Sequence, residues 1–199
     1  AARRLGIPIT DEQAAAAAFY RPPGDSAELR YLRERRAALG GPWPRRVVQC
    51  PSLQAPPLDF FREHLDGSGE RALSTTMAFV RMLGKLIGHD GLGRFIVPIV
   101  PAEARTFGIE ALFRRWGIYS AEGQKYQPVD SSSLSPYREA RDGQILQEGI
   151  CEAGAMASFL AAGTAYALHG VPTIPFYVFY SIFGFQRVGD LVWSAGDML

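Results

Sequence analysis

Glu152 is a lone carboxylate in the run of small and apolar residues from Ile150 to Ala155, at the point where helical patterning begins. A carboxylate stripped of water disfavours its ionised form, so its pKa is expected to rise toward the range in which it can exchange a proton with a bound heterocycle. The plain alternative is a carboxylate favoured at a helix start by the macrodipole. Farther along, residues 174–187 form a strand-like run dense in aromatic residues and closed by Arg187. Such a run can offer a face to a flat ring, whereas Phe176, Tyr177 and Phe179 are expected to pack in the core. Arg187 can hold an anionic substrate or a neighbouring loop, or pair with Asp190 or Glu148. Glu103 follows the end of an expected strand, from which an acidic side chain can reach a channel. A carboxylate at the start of a helix is its alternative. His64, His89 and His169 lie in polar, turn-like settings without ligand spacing and are not candidates.

The elements around these residues alternate. Thr10 followed by Gln13 is a capping box ahead of an alanine run, so a short helix is expected over 11–18. Pro22 and Pro23 break it, and a second helix starts at Asp25 or Ser26 with Leu29, Leu32 and Leu39 on one side. Residues 42–57 are rich in proline and form the expected linker between domains. Beyond it the pattern reads helix 73–87, strand 95–100 and helix 103–116. A long loop follows over 117–141 carrying Tyr119, Tyr126 and Tyr137, then helix 152–168, strand 171–180 and helix 185–197. This is an α/β chain with an open, mostly parallel sheet flanked by helices and an N-terminal helical arm, and ligands are expected beyond the strand carboxyl ends.

Composition narrows the partners. The 199 residues carry 21 basic and 20 acidic side chains, a net charge of +1, which argues against nucleic acid or an anionic membrane surface. The arginines of the first fifty residues are interleaved with acidic residues and alanines, as on a solvated helix face. Cys50 and Cys151 are the only cysteines and lack CxxC spacing, which fits a reduced, cytoplasmic setting and gives no disulfide or zinc framework. No segment has the length to cross a bilayer. Ala1 in place of Met, and a stop inside helical patterning at 195–199, are read as the marks of a piece cut from a longer chain.

Four stretches carry a family resemblance: Ser74-Thr75-Thr76-Met77-Ala78-Phe79-Val80-Arg81, residues 97–108 including Pro101-Ala102-Glu103, residues 143–155 including Gly149-Ile150-Cys151-Glu152, and residues 174–187 including Phe183-Gly184-Phe185-Gln186-Arg187. From about residue 73 to 198, and more weakly over 5–53, the chain resembles the homodimeric, thiamine-diphosphate-dependent pyruvate dehydrogenase (acetyl-transferring), the first component of its complex. The resemblance implies a transketolase-like pyrimidine-binding domain over 58–199, truncated on its C-terminal side. Residues 1–57 would be the end of a preceding domain, a helical arm and a linker. It further implies an oxidoreductase that decarboxylates pyruvate and reductively acetylates the lipoyl group of a dihydrolipoyl acetyltransferase, with the cofactor lying between two subunits.

By that resemblance Glu152 is the catalytic residue, sharing a proton with the cofactor's pyrimidine nitrogen. Tyr180 and Phe183 line the aminopyrimidine pocket, and Glu103 and Arg187 are substrate or channel residues. The family commonly has an acidic residue where this chain has Ala102, so a role needing two adjacent carboxylates does not carry over. The Gly-Asp-Gly signature with its downstream Asn is absent, so magnesium and the diphosphate are expected to be held outside this chain. A transketolase-like enzyme of the same superfamily and a non-catalytic truncated fragment are the alternatives.

Overall fold

The computed structural model describes residues 4, 6–41, 47–101, 108–129 and 137–198. They fall into two units, Ala1–Arg46 and Val47–Leu199. In the first unit, α1 (Asp11–Ala15) opens on the capping box: Thr10 Oγ1 accepts from Gln13 N at 3.1 Å and Gln13 Oε1 accepts from Thr10 N at 2.9 Å. It ends before 18 because Ala17 turns to φ +49°. Helix α2 (Ala27–Ala38) is capped by Ser26, whose Oγ accepts from Leu29 N at 3.3 Å. Neither helix buries a residue, and Leu32 and Leu39 stand exposed.

The second unit begins with a 3-10 turn (Leu58–Phe61) and α3 (Arg62–Leu65). Helix α4 (Thr75–Ile87) follows, capped by Ser74 and burying Val80, Leu83 and Ile87 along one face. Then come β1 (Ile96–Val100), α5 (Glu110–Trp116), β2 (Ile118–Tyr119), β3 (Glu139–Ala140), β4 (Leu146–Gln147), α6 (Glu152–Gly163), α7 (Ala165–His169), β5 (Ile174–Tyr177) and α8 (Ser181–Asp197). The main sheet is parallel, in the order β4-β1-β5. Its core joins Val80, Leu83 and Ile87 to Ile96, Val100, Ile109, Leu112, Phe113, Ile118 and Ile145.

Pro98 sits in the central strand, where a missing N–H normally breaks a ladder. Val100 O accepts from Glu148 N at 3.0 Å and Ile99 O accepts from Val178 N at 2.9 Å, so the even-numbered residues of β1 face β4. Strand β4 pairs only from Ile99 onward, and among the described residues no strand lies opposite Pro98 on that side. Ile96 O, facing the same gap, accepts from the Gln144 side chain at 2.7 Å.

Several elements differ from the sequence reading. Bare apolar faces are expected around residues 95–100 and 173–180; β1 is instead central, with Ile99 and Val100 fully buried, while residues 173–179 are half-buried and Tyr180 is exposed. Residues 117–141 are not all loop: β2 pairs with β3 in parallel and Ile118 bridges to Ile145, in strands too short to leave an alternating pattern. Helix 152–168 is two helices, because Thr164 turns its hydroxyl back onto Leu160 O at 2.8 Å where α6 ends. Helix α8 starts at Ser181 rather than 185 and is broken at Val188 (φ −135°, ψ 16°). Among the described residues, no helix is long and apolar enough to cross a membrane.

Candidate functional site

Strands β1, β4 and β5 end side by side, and the turns that follow β4 and β5 deliver the side chains of interest. After β4 the chain must reverse into α6. Gly149 makes the reversal at φ +69°, and no atom lies near enough to exclude a Cβ, so backbone conformation rather than space requires glycine there. Cys151 N donates to Pro101 O at 3.1 Å, tying the turn to the end of β1, and Cys151 Sγ accepts from Gly154 N at 3.4 Å as the helix cap. Glu152 is the first residue of α6 and the one charged side chain in the buried class among the described residues.

Its partner comes from α8. Arg187 Nη1 donates to Glu152 Oε1 at 2.7 Å; the Glu152 side chain is 9% exposed and that of Arg187 48%. This overturns the expected direction of the carboxyl pKa. The Arg187 hydrogen bond first, then the backbone N–H of Glu152 itself, hold the carboxyl below its ordinary value against the opposing effect of burial. It also replaces the pairings expected for Arg187. Glu148 instead accepts from Ser158 Oγ at 2.5 Å, and Asp190 accepts from Leu191 N at 2.9 Å.

The guanidinium carbon of Arg187 also stands 4.5 Å from the centroid of the Phe183 ring. Phe183 is on the first turn of α8 rather than on a strand, and Tyr180 is the residue just before that helix. Their rings meet edge to face at 6.2 Å, and each residue is 39% exposed. Tyr177, at the end of β5, donates from Oη to Glu152 O at 3.3 Å. Its phenol is pushed up to about 12, chiefly by burial and then by the charges of Glu152 and Cys151. Tyr177 in turn stacks on Phe179 at 4.9 Å, which meets Phe185 edge-on at 5.6 Å. Glu103 lies outside the described residues.

One end of the sheet therefore gathers Glu152, Tyr177, Tyr180, Phe183 and Arg187. The links from Tyr177 and Arg187 to Glu152 were not read from the sequence. They span 25 and 35 residues and exist only because β5 lies beside β1, so no local pattern signals them. A carboxylate oxygen and part-exposed aromatic faces suit a planar nitrogen heterocycle, which needs one strong hydrogen-bond partner and a stacking surface. Among the described residues, no group of three or more His, Cys, Asp or Glu side chains is placed to hold a metal ion.

The fold and this cluster define an α/β module of the kind that holds ligands beyond the carboxyl ends of parallel strands. The pyruvate dehydrogenase E1 component middle domain matches residues 53–199, and the chain belongs to that family. It is similar to the pyruvate dehydrogenase E1 component of Pseudomonas aeruginosa, 56% identical over 194 residues that make up 98% of this chain and 22% of that protein. The Corynebacterium glutamicum protein of the same name is 51% identical over 200 residues, with the same two coverages. That of Mycobacterium tuberculosis is 44% identical over 197 residues, or 97% of this chain and 21% of that protein. The chain thus spans about a fifth of the length of these relatives.

Proposed function

We propose that this chain is the pyrimidine-binding part of a cytoplasmic, thiamine-diphosphate-dependent pyruvate dehydrogenase. The complete enzyme decarboxylates pyruvate and reductively acetylates the lipoyl group of a dihydrolipoyl acetyltransferase. Residues 58–199 form the pyrimidine-binding domain, and 1–57 are the end of a preceding domain, its helical arm and the linker. A domain outside this chain holds the diphosphate and magnesium, and a second subunit completes the site. The reading rests on the relatives' name and on one observation: a nearly buried glutamate opens α6 directly beside the ends of β1 and β4.

When bound, thiamine diphosphate supplies an acidic thiazolium carbon that serves as nucleophile and electron sink for a 2-oxo acid. The residues of this chain prepare it. Glu152 holds a proton between its carboxyl and the pyrimidine ring nitrogen, Phe183 gives the ring a face to stack on, and Tyr180 borders the pocket. Glu103 and Arg187 are assigned to the substrate or its channel. In the complete enzyme, Glu152→Gln is expected to slow hydrogen–deuterium exchange at the thiazolium carbon by on the order of a hundredfold or more, the scale of a positioned proton-transfer group. An unchanged exchange rate would remove Glu152 from this role.

A further inference from the structure

Packing explains the ring of Tyr177 but not its hydroxyl. Side chains alternate along β5: Phe176 meets Phe79 of α4 at 5.9 Å between ring centroids, whereas Tyr177 turns to the other face of the sheet, toward α6. There its ring stacks on Phe179 at 4.9 Å and leans on Phe159 of α6 at 6.2 Å. A phenylalanine, the residue at 176 and 179, would make the same ring contacts. A hydroxyl withdrawn from water costs free energy unless it is bonded, and this one, on a half-buried residue, donates to Glu152 O at 3.3 Å.

Glu152 and Phe159 lie seven residues apart on one face of α6, so Tyr177 spans two turns, its ring against the second and its hydroxyl on the first. The chain entering α6 is tied to β1 by Glu148 N, which donates to Val100 O at 3.0 Å, and by Cys151 N, which donates to Pro101 O at 3.1 Å. Both ties come before Glu152. Tyr177 supplies a tie from β5, and it falls on Glu152 itself. The ring is held in turn, because Phe179, which stacks on it, lies directly against Gly184 in the first turn of α8. A continuous set of contacts thus runs from the turn that carries Phe183 to the backbone of Glu152. The phenol is also a permanent donor, since burial first and then the charges of Glu152 and Cys151 push it up to about 12. We infer that Tyr177 is a positioning residue for Glu152: its hydroxyl holds the first turn of α6, and so sets where the carboxyl meets a ring stacked on Phe183.

The inference rests on the proposed role of Glu152, so the experiment scores the two separately. Tyr177→Phe keeps the ring and its stack and removes only the hydroxyl. In the complete enzyme without cofactor, amide hydrogen exchange read by mass spectrometry is expected to be faster in the peptide spanning 150–156 and unchanged along β5 and α8. With thiamine diphosphate and magnesium bound, hydrogen–deuterium exchange at the thiazolium carbon is expected to slow by roughly two- to tenfold, the scale of one lost neutral hydrogen bond, with cofactor affinity near the parent's. Because the effect acts through Glu152, adding Tyr177→Phe to Glu152→Gln should slow that exchange no further. Phe179→Leu loosens the Tyr177 ring and leaves its hydroxyl, so it is expected to show both changes at smaller size, and it carries the test if Tyr177→Phe does not fold. The positioning role is overturned by a parent rate at the thiazolium carbon, by unchanged amides over 150–156, or by an equal slowing in the Glu152→Gln background. If Glu152→Gln alone leaves the thiazolium rate at the parent's, the role of Glu152 fails and the positioning role falls with it.

Discussion

Gly184 carries the Phe179 ring directly against its backbone: a Cβ added at Gly184 would lie 2.0 Å from two carbons of that ring. The contact presses the first turn of α8 onto the end of the β5 segment and so sets where Tyr180, Phe183 and Arg187 stand. Gly184→Ala gains helix propensity, about 0.5–1 kcal/mol, but forces the ring to move. Overpacking costs about 1–3 kcal/mol, so a net loss is expected, with a melting temperature lower by about 2–4 °C for each net kcal/mol. Differential scanning calorimetry decides it. An unchanged melting temperature would mean that Phe179 swings aside freely and does not fix the turn.

The ion pair of Glu152 with Arg187 has a pH signature. The folded carboxyl sits below the ordinary value of 4.5, so as pH falls the unfolded chain binds this proton first. The stabilisation is complete above that ordinary value and is lost as pH drops through the lowered folded pKa. Melting temperatures of the parent and Glu152→Gln are expected to differ by a constant amount over about pH 6–8 and to converge below about pH 4.5. A difference that grows on acidification would give the carboxyl a raised pKa.

Phe183→Ala removes a ring that is 39% exposed and touches Arg187 and Tyr180 rather than the main core. In the complete enzyme the variant is expected to lose roughly 1–3 kcal/mol of cofactor binding, through lost stacking and apolar contact, with the melting temperature little changed. Calorimetric titration beside a thermal melt separates the outcomes. A large fall in melting temperature with normal affinity would place Phe183 among the structural residues.

Much of this arrangement was legible in the residues. The apolar run ending at Val100 reads as a buried parallel strand, and the Gly149-to-Glu152 spacing marks the start of a helix, as found. What escaped is what depends on distant partners. Glu152 has an apolar sequence neighbourhood, which suggests a raised pKa, yet its strongest neighbour is Arg187 and the direction reverses. Helix α8 starts earlier than the residue pattern predicts because Phe183 and Phe185 are also good strand residues, and propensity in a short aromatic run does not separate the two periods. Strands β2 and β3 hold two residues each and are defined only by pairing across some twenty positions of chain.

Helix α8 also presents large apolar side chains outward: Ile182 is 65% exposed, Phe185 64% and Trp193 76%. Ile182 and Phe185 are three residues apart on its first segment, and Trp193 lies beyond the break at Val188. So much exposed apolar surface on one helix is costly in water and is the usual mark of a contact surface, which fits the proposed second subunit. Aromatic anchors at the centre of an interface each contribute about 2 kcal/mol or more, and a buried unpaired carboxylate there costs at least as much. Trp193→Asp and Phe185→Asp in the complete enzyme are therefore each expected to weaken subunit association by roughly thirtyfold or more. Because Trp193 is 76% exposed, Trp193→Asp should change the melting temperature little, whereas Phe185→Asp also removes the edge-on contact with Phe179. Sedimentation equilibrium across a concentration series reads the effect directly. Dissociation constants equal to the parent's in both variants would show that this face of α8 is not where the subunits meet.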